Sequence, residues 1–177
     1  MSPSLKPPAP TFSTAQVAHA AGIAPDTLVT WIKRGNIELT DPEMWKPGRG
    51  REREFSIHRL LHIALVARLA RSGMDVKPAS AAALVWSDVG EPTAPGKPTK
   101  RLPGGLFPTG WTLFVVRHGP READAPEADV INVEPREDAV SVYAKLFHSN
   151  DGEVKSVHIV DLAEVDKQVR QRLGIGT

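Results

Sequence analysis

The sequence predicts an α+β protein that has an N-terminal winged helix-turn-helix and a separate small C-terminal α/β module containing an antiparallel hairpin and a terminal helix. Three observations lead to this prediction. Two short helical patterns meet at a tight turn near residue 22, an Arg-Gly-rich segment follows at 48–53, and the apolar period changes from helical to alternating after residue 110. Helical and alternating periods correspond to helices and half-buried strands, respectively.

The first helix is predicted to begin after Ser13. Ser13 and Gln16 have the spacing of a capping box, and Phe12 and Val17 have that of a hydrophobic staple. Gly22 can adopt the left-handed conformation that ends a helix. Together these signals predict a short helix that buries one face.

The second helix is predicted from Pro25 to Arg34. Leu28, Trp31 and Ile32 repeat at the spacing of one helical face, so they should pack against the first helix. Trp31 is therefore expected in the core and not in a stack with a base. The opposite face would meet base edges or flanking phosphates, and its residues are Asp26, Thr27, Val29, Thr30, Lys33 and Arg34.

A basic segment follows the second helix. Residues 46–59 hold five basic and two acidic side chains, whereas residues 121–153 hold three basic and nine acidic ones. The net charge of the chain is only +1, so any attraction to nucleic acid has to be local. Placed directly after a helix-turn-helix, the segment favours phosphate or minor-groove contacts over a merely solvated loop. The predicted wing contacts are Lys46, Arg49, Arg51 and Arg53.

Two further helices complete the N-terminal part. The third is predicted from Ile57 to about Ser72 with Ser56 as its cap, and the fourth roughly from Val76 to Trp86 with Asp75 as its cap. Residues 91–110 contain five prolines and four glycines, which is typical of a linker. The predicted organisation is a disordered leader at 1–11, a winged helix-turn-helix domain at 12–90, the linker at 91–110, and a dimerisation or effector module at 111–177.

The C-terminal module is predicted from alternation. Residues 111–116 and 130–133 indicate strands, and apolar residues alternate with others over 140–147. We therefore expect a hairpin between 140–147 and a strand around residue 158. A last helix follows Asp161, and its narrow stripe of Leu162, Val165, Val169 and Leu173 either closes over its own sheet or forms a helix-helix seam between two copies.

Several classes of function are excluded or disfavoured. The absence of cysteine excludes disulfides and thiolate zinc sites. His58 and His62 lie four residues apart but no third ligand is evident, and Glu122, Asp124, Glu127 and Asp129 lack the spacing of a calcium loop, so no metal is expected. No enzyme or cofactor motif occurs. No apolar run approaches 18 residues, which predicts a soluble, cytoplasmic protein without membrane contact.

The run Gly22-Ile23-Ala24-Pro25-Asp26-Thr27-Leu28, with Trp31 and Gly35 after it, resembles the N-terminal domain of the MerR family. The resemblance continues through Arg51-Glu52-Arg53-Glu54-Phe55 and covers roughly residues 12–88. The segment is also similar to winged-helix domains of phage excisionases and small terminase subunits. The resemblance implies a winged helix-turn-helix, recognition by the second helix, and usually a homodimer. The family's long dimerising coiled coil has no counterpart here, because no heptad run follows Trp86.

These observations predict a sequence-specific, double-stranded DNA-binding transcription regulator that acts as a homodimer and meets RNA polymerase. Two alternatives remain open. A phage-type packaging or recombination accessory protein would use the same domain to mark DNA and would dock another DNA-processing protein with its C-terminal half. A protein-interaction module on a winged-helix scaffold would bind no duplex at any salt concentration.

Overall fold

A computed structural model describes residues 10–39, 53–91, 100–119, 126–149 and 152–175. The predicted leader lies outside these residues except for Pro10 and Thr11, as do Lys46, Arg49, Arg51, Glu122 and Asp124. In chain order the elements are β1 (Phe12–Ser13), α1 (Thr14–Ala21), α2 (Pro25–Lys33), β2 (Glu54–Phe55), α3 (Ile57–Arg71), α4 (Val76–Ser87), β3 (Trp111–His118), β4 (Glu127–Val133), α5 (Ala139–Phe147), β5 (Ser156–Asp161) and α6 (Leu162–Leu173).

The four N-terminal helices begin and end within one or two residues of their predicted limits. The capping box at α1 is confirmed, because the Ser13 hydroxyl accepts from the Gln16 amide and the Gln16 side chain accepts from the Ser13 amide. Ser56 caps α3 through the amide of Arg59. The cap predicted at Asp75 is only positional, since its side chain accepts no hydrogen bond from α4.

A two-stranded sheet closes the N-terminal part. Strands β1 and β2 are antiparallel, and Phe12 is opposite Phe55. Both phenylalanines are buried. In the segment that carries the predicted wing, the structure describes residues up to Leu39 and again from Arg53, which comes directly before β2.

The C-terminal module contains a three-stranded antiparallel sheet in the order β4-β3-β5. Leu113 is opposite both Ile131 of β4 and Asp161 of β5, so β3 occupies the centre. The module therefore contains an antiparallel hairpin, as predicted, but β3 and β4 form it. The alternation had placed it between residues 140–147 and a strand around residue 158. The fold class is confirmed as α+β, with a helix-turn-helix domain followed by this hairpin and a terminal helix.

The strand predicted over 140–147 is wrong, because these residues form helix α5. The carboxylate of Asp138 accepts from the amides of Val140 and Ser141, which is a helix cap. Val142 and Leu146 lie four residues apart and pack together on the outer face of the sheet. A spacing of four residues fits one face of a helix and also one face of a strand. The cap at Asp138 shows that the segment is a helix.

Helix α6 packs against its own chain. Leu162, Val165 and Val169 are buried in one hydrophobic cluster with residues of α1 and α3, and Leu173 packs at its margin. Inner-face residues of the sheet, such as Phe114 and Val160, join the same cluster. Of the two uses predicted for this stripe, the seam between copies is wrong, because the stripe is already covered within the chain.

Residues 100–110 are fastened to the end of α4. The buried guanidinium of Arg101 donates to the carbonyls of Trp86 at 3.2 Å and Val89 at 2.6 Å. The Trp86 indole in turn donates to the carbonyl of Gly105 at 3.0 Å. Burial lowers the pKa of Arg101, although Glu91 opposes the shift. The domain boundaries at residues 90 and 110 stay a prediction.

Candidate nucleic-acid interface

Helix α2 is held by one face. Leu28 is fully buried, and Trp31 and Ile32 pack against the core cluster, which confirms the inward placement of Trp31. The helix begins at Pro25, where the missing N–H is not needed, but the preceding Ala24 supplies no side-chain cap. The orientation of α2 therefore depends on its apolar face and on the turn before it.

The opposite face of α2 is open to solvent. Asp26, Lys33 and Arg34 are exposed, while Thr27, Val29 and Thr30 are half-buried. The structure thus brings all six predicted recognition residues to the outward side of one short segment. The Thr30 hydroxyl donates to the carbonyl of Asp26 at 2.7 Å, so toward a ligand it can only accept.

The predicted wing is described only at its end. Arg53 is half-buried before β2, and its Nε has no hydrogen-bond partner among the described residues. Lys46, Arg49 and Arg51 lie outside those residues. Their approach to α2 or to DNA therefore stays a prediction, as do the roles of the α2 residues.

Two arginines at the turn of the helix-turn-helix were not singled out in the sequence. Arg172 of α6 donates to the carbonyl of Ala20 at 3.0 Å, and Arg71 of α3 donates to the carbonyl of Gly22 at 3.4 Å. The pKa of Arg71 is lowered, first by burial and then by the charges of Arg68 and Arg172. No local sequence signal identifies Arg172, since it lies 152 residues from Ala20.

The histidine pair of α3 has a structural explanation. His62 is fully buried, with its Nδ1 3.2 Å from the Ser87 hydroxyl and its Nε2 3.1 Å from the Ser80 hydroxyl. Burial, with a smaller contribution from Arg59, lowers its pKa to about 4. His58 is exposed. Within the described ranges, no three His, Cys, Asp or Glu side chains are grouped to hold a metal ion.

The acidic stretch contributes to the sheet. Glu127 begins β4, and its carboxylate lies 3.9 Å from the buried guanidinium of Arg117 and accepts from Ser149. Arg117 also donates to the carbonyls of Lys145 and Leu146, which holds the C-terminal end of α5 on the sheet. Asp129, in the same strand, is exposed. These carboxylates belong to the C-terminal module and are distant from α2 in sequence.

Comparison with known proteins agrees with this geometry. Residues 12–82 match the sequence model of the MerR helix-turn-helix family of regulatory proteins, and they contain α1, α2 and most of the helices that support them. No curated protein matches the chain. Among the described helices, none is long and apolar enough to cross a membrane. The N-terminal part is a MerR-like helix-turn-helix domain, and this match supports a general role in DNA-binding regulation.

Proposed function

Residues 12–82 form a MerR-like helix-turn-helix domain, and we propose that the protein is a sequence-specific, double-stranded DNA-binding transcription regulator. Helix α2 enters the major groove, and the basic wing contacts the backbone or the minor groove. The observation that carries the proposal is that α2 packs Leu28, Trp31 and Ile32 on the core and exposes the charged side chains of Asp26 and Lys33 to solvent. Phosphate contacts position such a module, and base contacts specify the sequence.

The candidate base contacts are short. Thr27 and Thr30 reach little beyond the helix, and Lys33 supplies a flexible cation near its end. A good bidentate base contact discriminates by about 1–3 kcal/mol, and a threonine contributes less than this. One module of this size therefore gives modest discrimination, and two copies on paired half-sites would multiply it.

We propose that the homodimer forms through the outer face of α5, because the stripe of α6 is covered. Val140 and Tyr143 are 77% and 64% exposed, and Phe147, which stacks on Tyr143 with ring centroids 4.6 Å apart, is also exposed. Lys145 is the one charged residue of α5, and its amino group bonds to Glu137 and to the carbonyl of Asn132. Two copies can therefore meet on this face without like charges opposing each other, and aromatic side chains are enriched in such contacts.

The test begins with the full chain and a random pool of duplexes, from which the preferred duplex is selected and then compared with a scrambled one. Changing Thr27, Thr30 and Lys33 to Ala should bring the two affinities together in a folded protein. Changing Arg49, Arg51 and Arg53 to Ala should weaken binding to both duplexes and reduce the salt slope by about 2.7, at roughly 0.9 per phosphate contact.

The two variants act as controls for each other, since one should lose preference and the other affinity. Wild-type protein that selects no duplex at low salt would contradict DNA binding and favour the protein-interaction module. Selection of DNA without any effect on transcription, together with capture of a packaging or recombination protein, would favour the accessory protein.

A further inference from the structure

The turn between α1 and α2 is held from outside the helix-turn-helix. The last carbonyls of a helix have no partner within it. At the end of α1, the Ala18 and His19 carbonyls accept from the amides of Gly22 and Ile23, which form the turn itself. The Ala20 carbonyl accepts instead from the guanidinium of Arg172, at 3.0 Å. A residue of the C-terminal helix thus completes the end of α1.

The fit between Arg172 and the turn is close. Gly22 has φ +70°, and a Cβ atom at this position would collide with the Arg172 guanidinium. The side chain therefore lies directly against the backbone of the turn. Arg71, from the last turn of α3, donates to the carbonyl of Gly22. Two arginines from two helices thus bond to carbonyls two residues apart.

Helix α6 has a fixed base from which to hold the turn. Leu162, Val165 and Val169 are buried against α1 and α3, so the helix that carries Arg172 cannot shift without opening the core. By contrast, α2 lacks a side-chain cap, and Leu28 is its one buried residue. Besides the packing of its apolar face, the backbone of the turn therefore sets the angle at which α2 leaves α1.

We propose that Arg172 is a positioning residue for recognition: it fixes the turn, and through the turn it fixes α2, from the C-terminal module. Arg172 does not need to touch DNA for this role. The proposal rests on the proposed function and adds a route by which the C-terminal module controls sequence reading. A movement of α6 would act first on the turn and, through the turn, on α2.

The test uses the full chain with Arg172→Ala, and with Arg170→Ala as the matched control. Arg170 has the same charge on the same helix but pairs with Asp166 inside α6, at 2.7 Å. Hydrogen exchange is measured at the amides of Gly22 and Ile23 and compared with core amides of α3. In Arg172→Ala, exchange at the turn should rise about tenfold relative to α3, as expected for loss of one hydrogen bond to a charged group.

The DNA readout is the ratio of affinities for the selected and the scrambled duplex. Arg172→Ala should lower this ratio, Arg170→Ala should leave it unchanged, and Arg172→Lys, which keeps a charged donor, should restore part of it. If exchange at the turn rises no more than exchange in α3, or if the ratio survives in Arg172→Ala, the role is only structural and the proposal is wrong. If wild-type protein prefers no duplex, the proposed function fails, while the exchange measurement still decides whether Arg172 holds the turn.

Discussion

Helices α2 and α5 are both nine residues long, and both expose one face, but the two faces differ in chemistry. The open side of α2 carries Asp26 and Lys33, with Arg34 directly after it, whereas that of α5 carries Val140, Tyr143 and Phe147. An open polar face can hydrogen-bond to base edges and phosphates, whereas an open apolar face gains by leaving water. Our proposal that α2 binds DNA and that α5 binds a second copy of the chain rests on this difference.

The comparison requires that the apolar stripe of α6 is covered and offers no third surface to a partner, and this requirement gives the largest expected effect. Leu162 is fully buried in the core shared with α1 and α3. We expect Leu162→Ala to lower the free energy of unfolding by about 2–5 kcal/mol in denaturant titrations. The control Val140→Ala truncates an apolar side chain that is 77% exposed, and it should change stability by no more than about 0.5 kcal/mol. Equal effects of the two changes would contradict the burial of the α6 stripe.

The open faces of α2 and α5 exist only in the folded protein, and the folded protein keeps the buried His62 neutral. The pKa of His62 is lowered to about 4 from an ordinary value of 6.5, so the unfolded chain takes up a proton at a higher pH than the folded one. Stability is therefore fully present above pH 6.5 and is lost as the pH falls toward 4, by about 3 kcal/mol in total.

Denaturant unfolding at a series of pH values measures this loss, and His62→Gln should flatten the curve over the same range. The ring-proton NMR resonances of Tyr143, the single tyrosine of the chain, report on α5 during the same titration. We expect its signal to change together with amide protection in α3. Separate transitions would mean that the two ends of the chain unfold independently.

The face of α5 should control association and leave the fold intact. Buried aromatic anchors in interfaces contribute about 2 kcal/mol or more each, and a homodimer carries each substitution twice, so Tyr143→Ser or Phe147→Ser should weaken the dimer by at least about 30-fold. Sedimentation measures the dissociation constant, and Ala163→Ser, an exposed change in α6 outside the proposed interface, is the control. A variant that dimerises like wild type would remove α5 from the interface.

A change on the open face of α2 should have the smallest effect, and this effect is a gain in affinity for DNA. Asp26 is an exposed carboxylate on the side proposed to meet DNA, so Asp26→Asn should strengthen binding to any duplex, by about fivefold at most. Asp75→Asn is the matched control, because Asp75 also stands exposed at a helix start without a capping hydrogen bond. Equal gains in both variants would indicate a general charge effect and no special position for α2.

The N-terminal half could be predicted from sequence because its signals are local and agree. At α1, the cap, the staple and the left-handed glycine all lie within 11 residues; the cap and the glycine were found where they were expected, and the two staple residues are buried in one cluster. The basic wing, which was predicted from local charge, lies outside the described residues except for Arg53, so it stays a prediction. The six proposed recognition residues could be placed on one face, whereas their individual roles could not be derived.

The C-terminal half was harder to predict because its decisive contacts are distant in sequence. Val142 and Leu146 fit a strand and a helix equally well, and Asp138, the residue that decides between them, was not recognised as a cap. The stripe of α6 was found, but its partner in α1 lies about 150 residues earlier, and no periodicity indicates such a pairing. Arg172 was missed for the same reason, since it is equally far in sequence from the turn that it contacts.

The shared core also determines when the protein can fold during its synthesis. Chains emerge from the ribosome at about 5–20 residues per second, and N-terminal parts generally fold first. Here α1 and α3 leave the ribosome many seconds before Leu162, Val165 and Val169, the residues that cover their apolar surface. For that interval the apolar surface of α1 and α3 lacks its cover, and the Ala20 carbonyl lacks the hydrogen bond from Arg172. Abundance of the protein should consequently be sensitive to translation speed between α4 and α6, far from any residue proposed to meet DNA.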